Sequence, residues 1–323
     1  MPYSMRYPTT EDIKVLFDEL YDSSDGNIKG VLSYGSGSRH NLGISICTHG
    51  NELSGLACLW AFKELGLQQR LEDNKVTFIL ANRYAARQYI DSGLDLTEPY
   101  LGRQFRFIDT NMNRLPINLE NPNQSIEIQR AIELGPVILT FSSALDFHST
   151  DNDEVPMLIT VNSMSERQVR VQNIPTVLQG VSTIQRNIPF CSLFGRREIE
   201  IPILGVETGV HNSENSFLTA IDCMLREMQR CFNVNFPSDF LTKTQLSEKV
   251  RYEIFDSIIS TSPQFRVARV FKNLEKVAKG ELLSIDQNVS IFATQDCYPV
   301  FVSGGGNSLF RGEEVAFLAR RVE

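Results

Sequence analysis

Short apolar runs alternate with helix-like segments along the first two thirds of this chain, and that alternation limits the folds open to it. Leu42–Cys47, Val76–Ala81 and Ile203–Val206 are mainly apolar runs of strand length. Leu53–Leu65 and Ser216–Phe232 repeat their apolar residues with the period of a helix. Strands that alternate with helices usually form a parallel sheet covered on both faces. The sequence therefore predicts an α/β fold with a mostly parallel, mixed sheet and helices on both faces.

The pattern changes after about residue 235. Short apolar or alternating runs separated by turn residues continue to the end of the chain, and no long helical pattern appears past residue 250. We therefore predict two domains, an α/β domain over residues 1–240 and a small β-rich domain over residues 241–323. Within the first domain, the polar and aromatic-rich segment Tyr84–Arg106 is expected to be a loop, and Val137–Leu139 is expected to be a strand.

The composition argues against two broad classes of function. The formal net charge is −8 and no basic run offsets it, so a nucleic-acid partner is not expected. No stretch reaches the roughly 18 apolar residues of a membrane span, and the polar amino terminus is unlike a signal peptide. Six scattered cysteines without a Cys-x-x-Cys pair are expected to be free thiols, which favours a reducing cytoplasm.

Residues able to bind a metal follow three of the predicted strands. His49 and Glu52 come after one strand, His148 ends a second, and Glu207 directly follows a third. In an open α/β sheet, sites form at the carboxyl ends of the strands, so these side chains are expected to converge. Two imidazoles and one carboxylate are typical zinc ligands and leave a fourth position open. Each residue alone is more often structural, as a cap or a buried histidine, but together they favour a metal site.

A second group of polar residues lies in the segment Arg106–Arg114, which reads RFIDTNMNR. Guanidinium groups bind carboxylates through two parallel hydrogen bonds, so this segment is expected to bind an anion. A surface cluster of ion pairs would have the same composition. Asp146, two residues before His148, is either a hydrogen-bond acceptor for that imidazole or an ordinary aspartate at a strand end.

Four motifs together resemble the succinylglutamate desuccinylase and aspartoacylase family, a branch of the zinc-carboxypeptidase-like hydrolases. They are THGNE at Thr48–Glu52, RFIDTNMNR at Arg106–Arg114, LDFHST at Leu145–Thr150 and GVETG at Gly205–Gly209. The motifs occur in the family's order and span most of the first 210 residues. The resemblance implies a zinc-carboxypeptidase-like fold whose carboxy-terminal β-rich domain covers the mouth of the active site.

The resemblance also implies a role for the residues of the expected metal site. His49, Glu52 and His148 would bind one zinc ion per chain. Glu207 would be the general base, which takes a proton from the zinc-bound water and passes it to the leaving amine.

Further residues are implied to bind the substrate. Arg106 would polarise the scissile carbonyl and stabilise the developing oxyanion. Asn113 and Arg114 would bind the carboxylate of the amino acid, with Arg197 as a further carboxylate-binding residue. Aspartoacylases contact their substrate through a tyrosine of the carboxy-terminal domain, but the corresponding stretch Val302–Arg311 contains none. N-acetylaspartate is therefore not assigned as the substrate.

The function expected from these features is zinc-dependent removal of an acyl group, of acetyl or succinyl type, from a small anionic N-acylated amino acid. One alternative is a zinc carboxypeptidase that acts on peptides, and another is a non-catalytic zinc-binding protein of the same fold. No membrane or nucleic-acid partner is expected. The sequence leaves open whether the protein is a monomer or a homo-oligomer.

Overall fold

The computed structural model describes residues 7–96, 98, 101–115, 125–151, 155–181, 201–236, 241, 246–302 and 314–322. These residues form six α-helices: α1 (Thr10–Asp22), α2 (Leu56–Glu64), α3 (Arg83–Asp91), α4 (Ile126–Ile138), α5 (Glu166–Val169) and α6 (Glu214–Phe232). They also form fifteen strands: β1 (Ser24–Asp25), β2 (Ile28–Lys29), β3 (Val31–Gly35), β4 (Asn41–Ile46), β5 (Lys75–Leu80), β6 (Ser143–Thr150), β7 (Met157–Thr160), β8 (Thr176–Gln179), β9 (Ile203–Val210), β10 (Val250–Ile259), β11 (Arg266–Val267), β12 (Leu282–Asp286), β13 (Val289–Phe292), β14 (Tyr298–Val300) and β15 (Glu314–Val322).

The chain divides into two compact units. One unit comprises Met1–Pro175 and Gln185–Glu248, and the other comprises Thr176–Ile184 and Lys249–Glu323. β8 therefore belongs with the carboxy-terminal strands, although it precedes them by a long stretch of sequence. The predicted division into residues 1–240 and 241–323 does not place β8 in the second unit, because the sequence of a four-residue strand does not indicate which unit the strand joins.

The first unit contains a sheet whose central strands run parallel in the order β5-β4-β6-β9. β3 pairs with β5 and β7 pairs with β9, both antiparallel. Every residue of β4 is buried, as are seven of the eight residues of β6 and of β9. Strands that are covered on both faces have this near-continuous burial. The carboxyl ends of β4, β6 and β9 lie along one edge of the sheet. His49 follows β4, and His148 and Glu207 lie in the carboxy-terminal halves of β6 and β9.

Helices cover both faces of this sheet. On one face, the Phe62 ring of α2 lies 5.5 Å from the Phe78 ring of β5. On the other face, α4 buries its apolar side in one core cluster with Ile79 of β5. The packing there is close, since a Cβ on Gly43 of β4 would lie 2.3 Å from the Phe141 ring. The predicted α/β fold with a mostly parallel, mixed sheet is confirmed.

The prediction of a loop over Tyr84–Arg106 is wrong for the first part of this segment, which belongs to α3. Asn82 caps this helix by accepting a backbone N–H hydrogen bond of 3.3 Å. The Arg87 guanidinium lies over the rings of Phe17 and Tyr21 of α1, at 4.8 and 4.2 Å from their centroids. Cation–π contacts of this kind add to the packing of α3 on α1. The polar composition of the segment gives no sign of these contacts.

The strand expected at Val137–Leu139 is instead the end of α4. Ser125 caps the start of this helix, and the helix continues through Pro136. Leu134 and Ile138 are both buried at helical spacing. An apolar run of three residues cannot distinguish a strand from the end of a buried helix by its periodicity.

The second unit is built from β-strands. β8 pairs parallel with β10, β15 pairs antiparallel with the other edge of β10, and β14 pairs with β15. β11, β12 and β13 form a separate antiparallel sheet. The unit has its own core, which consists of Ile258, Phe265, Phe271, Val277, Leu283, Ala293, Cys297, Val302, Val315, Ala316 and Leu318. Of the helices in the described ranges, none combines the length and the apolarity needed to cross a membrane.

Candidate metal centre

A tight turn after β4 places the THGNE motif at the edge of the sheet. The turn depends on Gly50, because a Cβ at this position would lie 2.4 Å from the backbone oxygen of Phe105. The Gly50 N–H also donates to the Arg106 carbonyl at 2.9 Å. Only glycine allows two backbone segments to approach so closely. The turn therefore brings His49 and Glu52 beside the segment that begins at Arg106.

His49, Glu52 and His148 meet in a buried cluster. Glu52 Oε1 lies 2.8 Å from His49 Nδ1, and Glu52 Oε2 lies 2.9 Å from His148 Nδ1. One potential ligand atom from each residue lies within 4.8 Å of the others. His49 and Glu52 belong to the turn that precedes α2, and His148 comes from β6. The structure thus brings together the three residues that the sequence predicts as metal ligands.

The second nitrogen of each imidazole has its own acceptor. His148 Nε2 lies 3.1 Å from Asp146 Oδ2, and the Thr48 hydroxyl donates to the other Asp146 oxygen at 2.8 Å. His49 Nε2 lies 3.1 Å from the side-chain oxygen of Asn111. With a metal in place of the proton at Nδ1, an acceptor at Nε2 would hold the remaining proton and leave the Nδ1 lone pair for the metal. Contacts with neighbouring side chains therefore orient both imidazoles so that they could bind a metal.

The charges in the cluster suit a divalent cation. Burial and the Arg106 guanidinium lower the pKa of His49 to about 4. Burial acts against ionisation of Glu52, yet His49 and Arg106 keep the pKa of this carboxyl well below its usual value. Burial also opposes protonation of His148, but the Asp146 and Glu52 carboxylates outweigh it and raise the pKa. An ionised carboxylate with two imidazoles, all buried, fits the donor preference of zinc.

Glu207 reaches the cluster from β9, where its Cα is paired with that of His148 on β6. Its side chain is buried, and within the described residues Oε2 has no hydrogen-bond partner. Burial and the Glu52 carboxylate raise the pKa of Glu207 to about 7, while His148 and Arg106 act in the opposite direction. A carboxyl with this pKa can gain and lose a proton near neutral pH, as a general base requires.

Some residues of the RFIDTNMNR segment contact the cluster, and others contact the surrounding structure. Arg106 Nη1 donates to Glu52 Oε1 at 2.8 Å, and its side chain is about one-third exposed at 36%. The amide nitrogen of Asn113 lies 3.4 Å from His148 Nε2, and Arg114 donates to the Asn113 carbonyl at 2.9 Å. Asp109 is exposed and accepts the N–H of Ile126 at the start of α4.

Two predicted features fall on residues that are not described. Arg197 lies outside the described residues, as does most of the stretch Val302–Arg311. Their predicted places in the site therefore stay predictions.

His211 is a buried neighbour of the cluster that sequence reasoning did not assign. The Asn51 amide donates to its Nε2 at 3.2 Å, so its Nδ1–H donates to the Ser149 hydroxyl at 2.8 Å. Burial lowers the pKa of His211, which favours this neutral form. Asn51 precedes Glu52 and Ser149 follows His148, so His211 links the two segments that carry these residues. The one available signal was that His211 is one of only four histidines in the chain.

Comparison of the chain with known proteins gives structural matches only. No known family of protein sequences matches it, and no curated protein matches it in sequence. Among solved structures, a succinylglutamate desuccinylase from Vibrio parahaemolyticus is 17% identical with a TM-score of 0.67, over 91% of this chain and 86% of that one. An aspartoacylase family protein from Mesorhizobium loti is 16% identical with a TM-score of 0.59, over 91% and 89%. The product-bound ectoine utilization protein from Ruegeria pomeroyi is 16% identical with a TM-score of 0.60, over 90% and 88%.

These matches extend over nearly the whole of both chains, so they include both compact units of the protein. At identities of 14–17% the likeness establishes the fold and does not by itself establish an activity. The fold of this chain is that of the succinylglutamate desuccinylase and aspartoacylase family.

Proposed function

We propose that the protein is a zinc-dependent amidohydrolase that removes an acyl group, of acetyl or succinyl type, from a small N-acylated amino acid. The observation that carries this proposal is the buried cluster of His49, Glu52 and His148 beside Glu207, whose Oε2 has no hydrogen-bond partner among the described residues. These three residues would bind one zinc ion. When bound, zinc polarises an amide carbonyl and lowers the pKa of water towards about 7.

Glu207 would move the proton in this reaction. As a carboxylate it can take a proton from the attacking water, and as a carboxylic acid it can return that proton to the leaving amine nitrogen. A pKa raised to about 7 supports both steps, because neither form is strongly favoured near neutral pH. Since Oε2 has no protein partner in the described residues, it is free to accept the proton of a water molecule.

Arg106, Asn113 and Arg114 would recognise the substrate. Arg106 is anchored on Glu52 by one guanidinium nitrogen, and the partial exposure of its side chain leaves it accessible to the scissile carbonyl. A fixed cation at that position stabilises charge that develops only in the transition state. We assign Asn113, Arg114 and Arg197 to the carboxylate of the amino acid. For Asn113 this is supported by its amide nitrogen, which lies 3.4 Å from His148 Nε2, and for Arg114 by its hydrogen bond to the Asn113 carbonyl.

The proposal also includes the domain division of the protein and its cellular location. We keep residues 1–240 as the catalytic domain and residues 241–323 as the β-rich domain. The role of the latter in covering the active site, implied by the family resemblance, stays a prediction. Within the described ranges, none of the five cysteines is joined in a disulfide, which supports a reducing cytoplasm.

The proposal is tested by a substrate screen with metal control. Purified protein is stripped with chelator, divided and reloaded with zinc or left apo. Each portion is then assayed for amine release from N-acetyl and N-succinyl amino acids and from short peptides. We expect zinc-dependent release from at least one N-acyl amino acid. Faster release of carboxy-terminal residues from peptides would identify a carboxypeptidase. Zinc binding without any hydrolysis would identify a non-catalytic zinc protein.

A further inference from the structure

Glu127 is a buried carboxylate that the proposed reaction does not use. It lies in the first turn of α4 and is 1% exposed. One of its oxygens accepts the N–H of Ile108 at 2.6 Å, and the other accepts those of Asp109 and Thr110 at 3.2 and 3.1 Å. Three successive backbone donors of one loop thus point at a single side chain.

A carboxylate is removed from water only at a high energetic cost unless it is well hydrogen-bonded. Among the described residues, the partners of Glu127 are the three loop N–H groups and the Asn82 amide, which donates at 3.4 Å. The amino-terminal end of α4 adds a favourable dipole, since negative charge is stabilised in the first turn of a helix. The loop and the helix start therefore compensate this charge together, and the loop is fixed in return.

The contact is reciprocal. Asp109 in the loop accepts the N–H of Ile126 at 3.3 Å, so loop and helix each bind a backbone group of the other. The loop N–H groups that contact Glu127 lie between Arg106 on one side and Asn113 on the other. Arg106 is held by two contacts that do not involve Glu127. Its carbonyl accepts the Gly50 N–H, and its guanidinium binds Glu52.

We propose that Glu127 is a positioning residue that fixes the loop presenting Asn113 and Arg114 to the carboxylate of the substrate. This inference rests on the proposed function, which assigns those two residues to substrate binding. Arg106 and Asn111 have contacts that do not involve Glu127, with Glu52 and His49 respectively. Loosening the loop should therefore weaken substrate binding more than it slows the chemical step. The effect should also require a carboxylate on the substrate.

The test compares Glu127→Gln with the wild type and with Glu133→Gln. Glutamine keeps the size of the side chain but replaces one acceptor oxygen with a donor, so it cannot accept all three loop N–H groups. Glu133 is a partly exposed residue of the same helix that binds Arg130 and has no contact with the loop in the described structure. Glu127→Asp retains the charge on a shorter side chain and serves if the glutamine variant folds poorly.

The first readout is amide hydrogen exchange at Ile108, Asp109 and Thr110, which does not depend on turnover. We expect exchange at these amides to be at least about ten-fold faster in Glu127→Gln, because opening of a loop is limited by the bonds that close it. Exchange there should be unchanged in Glu133→Gln. Equal protection in Glu127→Gln and wild type would overturn the inference.

The second readout separates binding from chemistry. For an N-acyl amino acid we expect KM to rise about ten-fold in Glu127→Gln while kcat changes less. The reason is that displaced binding residues weaken substrate binding by about this factor. For the corresponding N-acyl amino acid amide, which lacks the carboxylate, KM should not change.

Faster exchange with unchanged KM would show that Glu127 is only structural and would overturn the positioning role. An equal rise in KM for the acid and the amide would also do so. Failure of the proposed function would appear elsewhere, as a zinc-loaded wild type that hydrolyses no N-acyl amino acid. The exchange comparison would in that case still decide whether Glu127 fixes the loop.

Discussion

Replacing Asp146 by Asn should weaken the proposed zinc binding without altering the three residues expected to bind the metal. Asp146 is 4% exposed, with one oxygen 3.1 Å from His148 Nε2 and the other accepting from Thr48. An asparagine oxygen can still accept from Nε2, and its amide can donate to the Thr48 hydroxyl. The substitution therefore removes a charge while the hydrogen-bonded geometry can persist.

The expected loss of zinc affinity follows from the way the Asp146 carboxylate raises the basicity of the His148 imidazole. Against the effect of burial, Asp146 and Glu52 together raise the pKa of His148, and a more basic imidazole is a better donor to a metal. Removing an acceptor of this kind typically costs about 10- to 100-fold in metal affinity. That corresponds to about 1.4–2.7 kcal/mol of binding free energy. Among the described residues, the neutral Asn111 oxygen lies at Nε2 of His49, whereas the acceptor at Nε2 of His148 is the Asp146 carboxylate.

The assay is competition for zinc against a chromogenic chelator at fixed pH, with circular dichroism to check the fold. Asp151→Asn is the control, because Asp151 is a nearby carboxylate that pairs with Arg103 instead of with a ligand imidazole. We expect a drop of about 10- to 100-fold for Asp146→Asn and a much smaller one for the control. Unchanged affinity in Asp146→Asn, or equal losses in both variants, would refute the reasoning.

Three further predictions concern the substrate, the proton and the turn. Arg106→Ala should lower kcat by about 10²–10³-fold in a steady-state assay, because a preorganised oxyanion partner is lost; an unchanged kcat would remove Arg106 from catalysis. kcat/KM should fall as the pH drops through a pKa no higher than about 7, since protonation disables Glu207 as a base and a bound cation lowers its pKa; a flat acidic limb would contradict this. Gly50→Ala should destabilise the protein by about 1–3 kcal/mol in urea denaturation, because its Cβ meets backbone at 2.4 Å.

The sequence predicted the centre of the site because parallel strands impose a simple geometry. His49, His148 and Glu207 each follow an apolar run, and strands of one parallel sheet end at one edge. No knowledge of their side-chain contacts was needed to expect them together. The order of the four motifs then indicated which family of hydrolases the chain resembles. The fold of the similar solved structures agrees with that resemblance.

Other parts of the site depend on contacts that the sequence does not display. His211 and Asn51 are 160 residues apart, and each is an ordinary polar residue until the fold brings them together. Glu127 looks like a common acidic residue in the first turn of a helix, and only the structure shows three loop N–H groups directed at it. Asp109 belongs to a motif that suggested anion binding, yet it contacts the start of α4. Long-range partners of this kind follow from packing and have no local signal.

The most direct test of the account is to measure zinc content and deacylation together in Glu207→Gln. Glutamine matches glutamate in size and cannot take a proton from water, and Glu207 is not among the three residues expected to bind the metal. We expect the variant to retain one zinc ion per chain and to hydrolyse the preferred N-acyl amino acid at least about 10²-fold more slowly than wild type. Full activity in a variant that retains its zinc would contradict the account, as would a wild type that binds no zinc.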